Sequence, residues 1–224
     1  MAPTSRLFDV QAAQLDRLKA GLDELLRTNN FYRERLRPIT TWDDFADLPL
    51  TTKAEIMSDQ QAHPPFGTNL TYPIDRYTRL HQTSGTSGTT PLRWLDTPES
   101  WDWWVRIWAD HVYRSAGVRA DDRVFFAFSF GPFIGFWSAF GGAERLGAMV
   151  IPGGAMSTEQ RLRTMIDLKA TVLCSTPTYA IRLAEAAQAA GTYLEQSGIR
   201  ITLHAGEPGA SVPATRDLIE RSFG

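Results

Sequence analysis

Cysteine is almost missing from this 224-residue sequence, where Cys174 stands alone. One thiol excludes an intrachain disulfide and a cysteine metal cluster, and it suits a reducing cytoplasm. An excess of charge is missing as well. Lys and Arg total 23 against 25 Asp and Glu, a net charge of −2, so the basic footprint of a nucleic-acid binder is absent and no nucleic-acid partner is expected. Residues 1–10 carry Arg6 and Asp9 and hold no apolar core of signal-peptide length. His81, His111 and His204 lack companions at ligand spacing, so no metal site is expected among the side chains. Long apolar runs are rare, but residues 124–143 are uncharged throughout, long enough to cross a bilayer. Gly131-Pro132 interrupts that run. Proline lacks a donor and disfavours helix in the residue before it, so a buried strand followed by a buried helix is expected rather than a membrane span.

What is present has two grammars. The length suits one domain, or one with a small appendage, and the pattern divides at about residue 75. Residues 1–75 look helical: Leu15, Leu18, Leu22 and Leu25 recur at three and four, which places them on one face. Asn29-Asn30 marks a break, and Thr41 and Thr52 stand where helices start. Thr52 followed by Glu55 has the capping-box spacing. From 76 to 224, apolar strands are predicted at 124–130, 148–151, 171–175 and 199–204. Helices are predicted at about 133–146, 157–168, 178–190 and 213–222, with a second capping box at Ser157 and Gln160. Near-continuous apolar strands separated by helices indicate an α/β fold, a mostly parallel sheet flanked by helices on both faces. Such sheets bind ligands beyond the carboxyl ends of their strands. The residues just after each strand are therefore the place to look for chemistry.

One further segment stands out. Six of the eight residues Thr83, Ser84, Gly85, Thr86, Ser87, Gly88, Thr89 and Thr90 carry hydroxyls, and the other two are glycines. Glycines let a backbone approach a ligand closely; successive N–H groups form a concave anion site to which hydroxyls add donors. Each bond to a charged phosphate contributes about 1.5–3 kcal/mol. No Gly-Lys-Ser/Thr follows, so this is not a Walker A loop, and Gly85-Thr86-Ser87-Gly88 is one residue short of a nucleophile elbow. Composition alone favours a flexible linker.

The motif Ser84-Gly85-Thr86-Ser87-Gly88-Thr89-Thr90-Pro91 resembles the phosphate loop of the adenylate-forming superfamily, and its neighbours resemble the phenylacetate–CoA ligase branch. Leu48-Pro49-Leu50-Thr51-Thr52-Lys53 is similar to that branch's lead-in, and Pro65-Phe66-Gly67 to its Pro-Phe-Gly turn. Phe128-Ser129-Phe130-Gly131-Pro132-Phe133 stands where an aromatic-glycine motif is expected. Gly142-Ala143-Glu144-Arg145-Leu146-Gly147-Ala148, Thr176-Pro177-Thr178-Tyr179 and Ala205-Gly206-Glu207-Pro208 follow in the family's order. The resemblance implies that Thr83 to Thr90 hold the phosphates of ATP, and that Gly206, Glu207 and Pro208 line the adenine side. It implies an acyl pocket bordered by Phe130, Phe133, Ile134, Gly135, Pro177 and Tyr179. The implied reaction is attack of a small carboxylic acid on the α-phosphorus of ATP, with Mg²⁺ stabilising charge, and then transfer of the acyl group to coenzyme A. A homodimer is a candidate assembly. No residue is assigned as the catalytic group.

Two departures qualify the match. Thr90 stands before Pro91 where the family commonly has lysine, so altered phosphate affinity is expected. The sequence stops at Phe223-Gly224, before the expected aromatic-Gly-x-Thr/Ser-Glu motif, the ribose-binding aspartate, the hinge and the C-terminal domain with its catalytic lysine. An incomplete adenylation domain is the expectation, with little or no catalysis by these residues unaided. The alternative is a non-catalytic nucleotide- or adenylate-binding remnant. Among the other conspicuous residues, Trp101, Trp104 and Trp108 share a helical face with Val105 and Val112 and are expected in the core. Cys174 is expected there too. Phe130, Phe133 and Tyr179 fit pocket and packing roles alike, and Glu207 fits either the adenine loop or a surface acid.

Overall fold

The computed structural model describes residues 3–83 and 91–224, with backbone only for residues 3–8. The proposed phosphate-loop positions Ser84, Gly85, Thr86, Ser87, Gly88, Thr89 and Thr90 lie outside the described residues. The chain divides into two units, Met1–Pro98 and Glu99–Gly224.

In the first unit, α1 (Pro3–Thr28) carries the leucine stripe, and the break falls at Asn29 as the sequence predicted. Asn29 is 1% exposed and caps α2 (Asn30–Arg33) by accepting from the amides of Phe31 and Tyr32. Its amide nitrogen donates to Asn69 Oδ1 at 3.0 Å and to Thr71 Oγ1 at 3.2 Å. A buried polar group is tolerated because each of its functions is satisfied. Both expected helix starts form capping boxes: Thr41 with Asp44 opens α3 (Trp42–Ala46), and Thr52 with Glu55 opens α4 (Lys53–Ala62). An antiparallel hairpin follows, β1 (Arg79–Gln82) against β2 (Arg93–Asp96). Beyond its last pair, the Thr83 amide donates to the Leu92 carbonyl at 3.0 Å, and Thr83 Oγ1 accepts from the Leu92 amide at 3.1 Å.

The second unit is the predicted α/β layer. Its sheet is parallel, in the order β4 (Met149–Pro152), β3 (Arg123–Phe126), β5 (Val172–Ser175), β6 (Ile201–His204). Side chains of a strand alternate between faces, and the core divides accordingly. Val124, Phe126, Val172 and Cys174 pack on one face with Tyr113, Ala139 and Ala143; Phe125 and Leu173 pack on the other with Leu162, Met165, Leu183, Ile219 and Phe223. The first face is covered by α6 (Ile134–Leu146) and the second by α7 (Thr158–Asp167), α8 (Pro177–Ala189) and α9 (Pro213–Phe223). The uncharged run divides into β3 and α6 on either side of Gly131-Pro132. Among the described residues, no helix is long and apolar enough to cross a membrane.

The tryptophan stripe departs from expectation. α5 (Pro98–Arg106) continues as a π-helical segment, Ile107–Tyr113. Val105 in α5 and Ala109 and Tyr113 in the π-helical segment are buried, while Trp104 in α5 stays 36% exposed. Trp108 does pack against the core, and Trp101 is half-buried. The glycine pair of α6 explains how close this packing is. A Cβ on Gly142 would lie 2.4 Å from Trp108 Cβ, and one on Gly141 3.1 Å from Val105 Cγ2. Tyr113 donates to the Ala139 carbonyl at 2.8 Å. Cys174 is core as expected, its thiol pushed up to about 12 by burial.

Candidate functional site

Four parallel strands deliver four chain exits to one edge of the sheet, the edge where such folds bind ligands. The exits of β5 and β6 are tied together. Thr176 caps α8, its Oγ1 accepting from the Tyr179 amide at 3.2 Å, and Pro177 sits in the first turn, where a missing N–H costs nothing. Pro177 is fully buried; a Cβ on Gly209 would lie 2.7 Å from its own Cβ, so the β6 exit loop packs directly on the start of α8. Gly206 turns that loop with φ +98°, a conformation that favours glycine. Glu207 reaches back to accept from the Thr178 amide at 2.9 Å and from the Thr178 hydroxyl. These bonds, the hydroxyl first, lower its pKa, so the carboxylate is ionised at neutral pH. Gly206, Glu207 and Pro208 are all exposed: an anchored anion and a bare backbone facing solvent, suited to accept from an amino group.

The β3 exit is aromatic. Phe130 lies 4.8 Å from Trp137, 5.5 Å from Phe140 and 6.3 Å from Phe126 between ring centroids, and Phe128 stacks on Phe136 at 3.6 Å. Trp137 Nε1 donates to the Gly131 carbonyl at 2.7 Å, which folds the Gly131-Pro132 turn onto α6. Phe130, Phe133 and Ile134 are half-buried, and Gly135 is exposed. Apolar rings on a turn held by an indole can receive an apolar group.

The β4 exit supplies what the sequence reading missed. Ser157 caps α7 in the expected box with Gln160, and one turn later comes Arg161, only 7% exposed. Arg161 Nε donates to the Gly153 carbonyl at 2.7 Å, Nη1 to the Ala127 carbonyl at 3.3 Å and Nη2 to Ser129 Oγ at 3.3 Å. Its guanidinium lies 4.9 Å from the centroid of the Tyr179 ring, and the Tyr179 hydroxyl is 3.3 Å from Thr158 Oγ1. One cation thus touches the exits of β3 and β4 and the first turn of α8. Gly153 makes this possible, since a Cβ there would lie 2.6 Å from the Phe126 carbonyl oxygen. The available signal was an arginine four residues before Met165, in line with the buried side of α7. At the neighbouring strand ends, His204 Nδ1 lies 3.4 Å from Ser175 Oγ. Burial lowers the pKa of that imidazole, against the pull of the Ser175 and Thr176 backbone.

Of the sequence-predicted residues, those of the β3, β5 and β6 exits thus share one sheet edge. Thr83 belongs to the first unit, where it closes the base of the hairpin. No group of three or more His, Cys, Asp and Glu able to hold a metal ion occurs among the described residues.

No family model matches the chain. It is 31% identical to the phenylacetate–coenzyme A ligase of Escherichia coli over 229 residues, covering 99% of this chain and 50% of the relative. The phenylacetate–coenzyme A ligase of Thermus thermophilus is 28% identical, with coverage of 99% and 49%. Among solved structures, a 2-hydroxyisobutyryl-CoA ligase in complex with 2-HIB-AMP and CoA superposes with a TM-score of 0.91 at 31% identity, covering all of this chain and 48% of that one. The chain therefore spans about half the length of the proteins it matches. In the order of its motifs, in sequence over nearly its whole length and in fold, it is a relative of the phenylacetate–coenzyme A ligases of the adenylate-forming superfamily.

Proposed function

We propose that this chain supplies the nucleotide and acyl subsites for ATP-dependent activation of an aromatic or apolar carboxylic acid, with coenzyme A as the later acyl acceptor. The observation that carries the reading is the sheet edge, to which β3, β5 and β6 deliver an aromatic exit, the capped start of α8 and the anchored Glu207 loop. Gly206, Glu207 and Pro208 take the adenine side, and the Glu207 carboxylate accepts from the exocyclic amine. Phe130, Phe133, Ile134, Gly135, Pro177 and Tyr179 take the acid. Thr83, Ser84, Gly85, Thr86, Ser87, Gly88, Thr89 and Thr90 take the triphosphate. The Thr83–Leu92 bonds tie together the hairpin residues that flank that segment, and a tether of that kind lowers the cost of ordering a binding loop. Mg²⁺ comes with the triphosphate, the usual mode for that ion, and supplies charge stabilisation when bound. The protein's part is alignment: a carboxylate held in line with the α-phosphorus reacts at high effective concentration, and pyrophosphate leaves as the acyl-adenylate forms.

Calorimetry tests the binding half of this reading. ATP should bind the chain, and G88W should abolish binding by filling the loop; no heat with the wild-type chain would overturn the proposal. ATP–pyrophosphate exchange with a panel of aryl and alkyl acids tests the chemistry. Exchange that is absent while ATP binding persists favours the second reading, a nucleotide- or adenylate-binding module without turnover.

A further inference from the structure

Arg161 is a buried cation with no acidic partner within ion-pair distance among the described residues, yet its interactions are not generic packing. It donates to the carbonyl of Ala127 and the hydroxyl of Ser129, in the chain leading to Phe130, and to the carbonyl of Gly153 at the exit of β4. Its flat face meets Tyr179, 4.9 Å from the ring centroid. The two aromatic walls of the acyl subsite, Phe130 and Tyr179, are therefore each one step from the same guanidinium. Tyr179 is held at its other end by Thr158, three residues before Arg161 on the same helix. A rigid planar fork can serve acceptors from two strands and a ring face together, whereas the flexible point charge of lysine cannot.

We propose that Arg161 is the positioning residue of the acyl subsite: by fixing the β3 and β4 exits to each other and to the Tyr179 ring, it sets the size of acid that the subsite accepts. This inference rests on the function proposed above. A purely structural arginine would lower stability or weaken all ligands alike. A positioning arginine changes the preference between ligands, because one methylene in an apolar subsite is already worth about tenfold or more in discrimination.

The test uses three non-hydrolysable acyl-sulfamoyl adenosines, with benzoyl, phenylacetyl and 3-phenylpropionyl groups, titrated against the wild-type chain, R161K and R161M. The ratios of their dissociation constants should shift by about tenfold in R161M, and by less in R161K, which keeps the charge and loses the fork. R161K also serves if R161M fails to fold. Ratios that stay constant in folded variants, with or without a uniform loss of affinity, would overturn the proposal. A second readout needs no ligand: in protein carrying ¹³C-tyrosine, the ring resonance assigned to Tyr179 through Y179F should move in R161M and R161K more than any other tyrosine. An unmoved Tyr179 resonance would refute the coupling itself. If the wild-type chain binds none of the analogues while that resonance still follows Arg161, the adenylate reading fails, the claim about acid size falls with it, and the coupling stands.

Discussion

The two ends of the parallel sheet treat charge in opposite ways. At the amino end Asp122, 4% exposed, accepts from the Arg119 amide at 2.7 Å, from Thr171 Oγ1 at 2.7 Å and from the Arg200 guanidinium, which also donates to the Gly117 carbonyl at 3.0 Å. Burial raises the Asp122 pKa, but these donors outweigh it and leave the group below its ordinary value. Anion and cation are matched there, and strand starts are sewn together. At the carboxyl end Arg161 bonds to carbonyls and a hydroxyl, and Glu207 to a threonine. Each charge is held in place without an opposite charge beside it among the described residues. Holding a buried cation that way sacrifices stability. A sheet edge that keeps oriented, uncancelled groups is suited to a charged ligand, while the cancelled edge serves the fold.

The sharpest way to break this contrast is D122A. It strands Arg200 and two further donors, the Arg119 amide and the Thr171 hydroxyl, so unfolding in denaturant should show a loss of about 3 kcal/mol, with ATP affinity by calorimetry unchanged. G153A attacks the carboxyl end through the backbone. The added methyl meets the Phe126 carbonyl, and overpacking of this kind costs about 1–3 kcal/mol, to be read as a fall in melting temperature. E207Q inverts the first result: the unfolding midpoint should stay put while ATP affinity falls about tenfold, the size expected when a charged acceptor is lost. The smallest effect is a pH dependence. His204 is held neutral, its pKa lowered chiefly by burial, so the unfolded chain binds its proton first. Stability should be full above the unfolded histidine value of about 6.5 and decline as pH falls below it. Denaturation midpoints across that range should show a shallower slope in H204N; an unchanged slope would remove His204 as its source.

Much of this fold was legible because it is written in local patterns. The leucines of α1, the two threonine capping boxes, the serine box of α7 and the apolar runs of β3 to β6 each declare themselves within a few residues. The β1–β2 hairpin did not, because Arg79-Leu80-His81-Gln82 and Arg93-Trp94-Leu95-Asp96 lack an apolar run and owe their strand geometry to each other. Trp104 misled because spacing marks a candidate apolar face without showing how the helix is rotated against its neighbours, and Val105, the next residue, took the inward position. In the candidate site, the exit loops could be anticipated from topology, but Arg161 could not. Its acceptors are main-chain carbonyls and a serine from 8 to 34 residues away in sequence, and carbonyls carry no letter code.

The glycine pair of α6 has a reach beyond its own packing. With Trp108 so near Gly142 that even one methyl would collide, the helix has a single seating depth against the π-helical segment. Phe136, Trp137 and Phe140 ride on that same helix toward the β3 exit. The contour of the β3 exit is therefore gauged from a point remote from the strand ends, and a methyl added at position 142 would reach those rings through the helix that carries them.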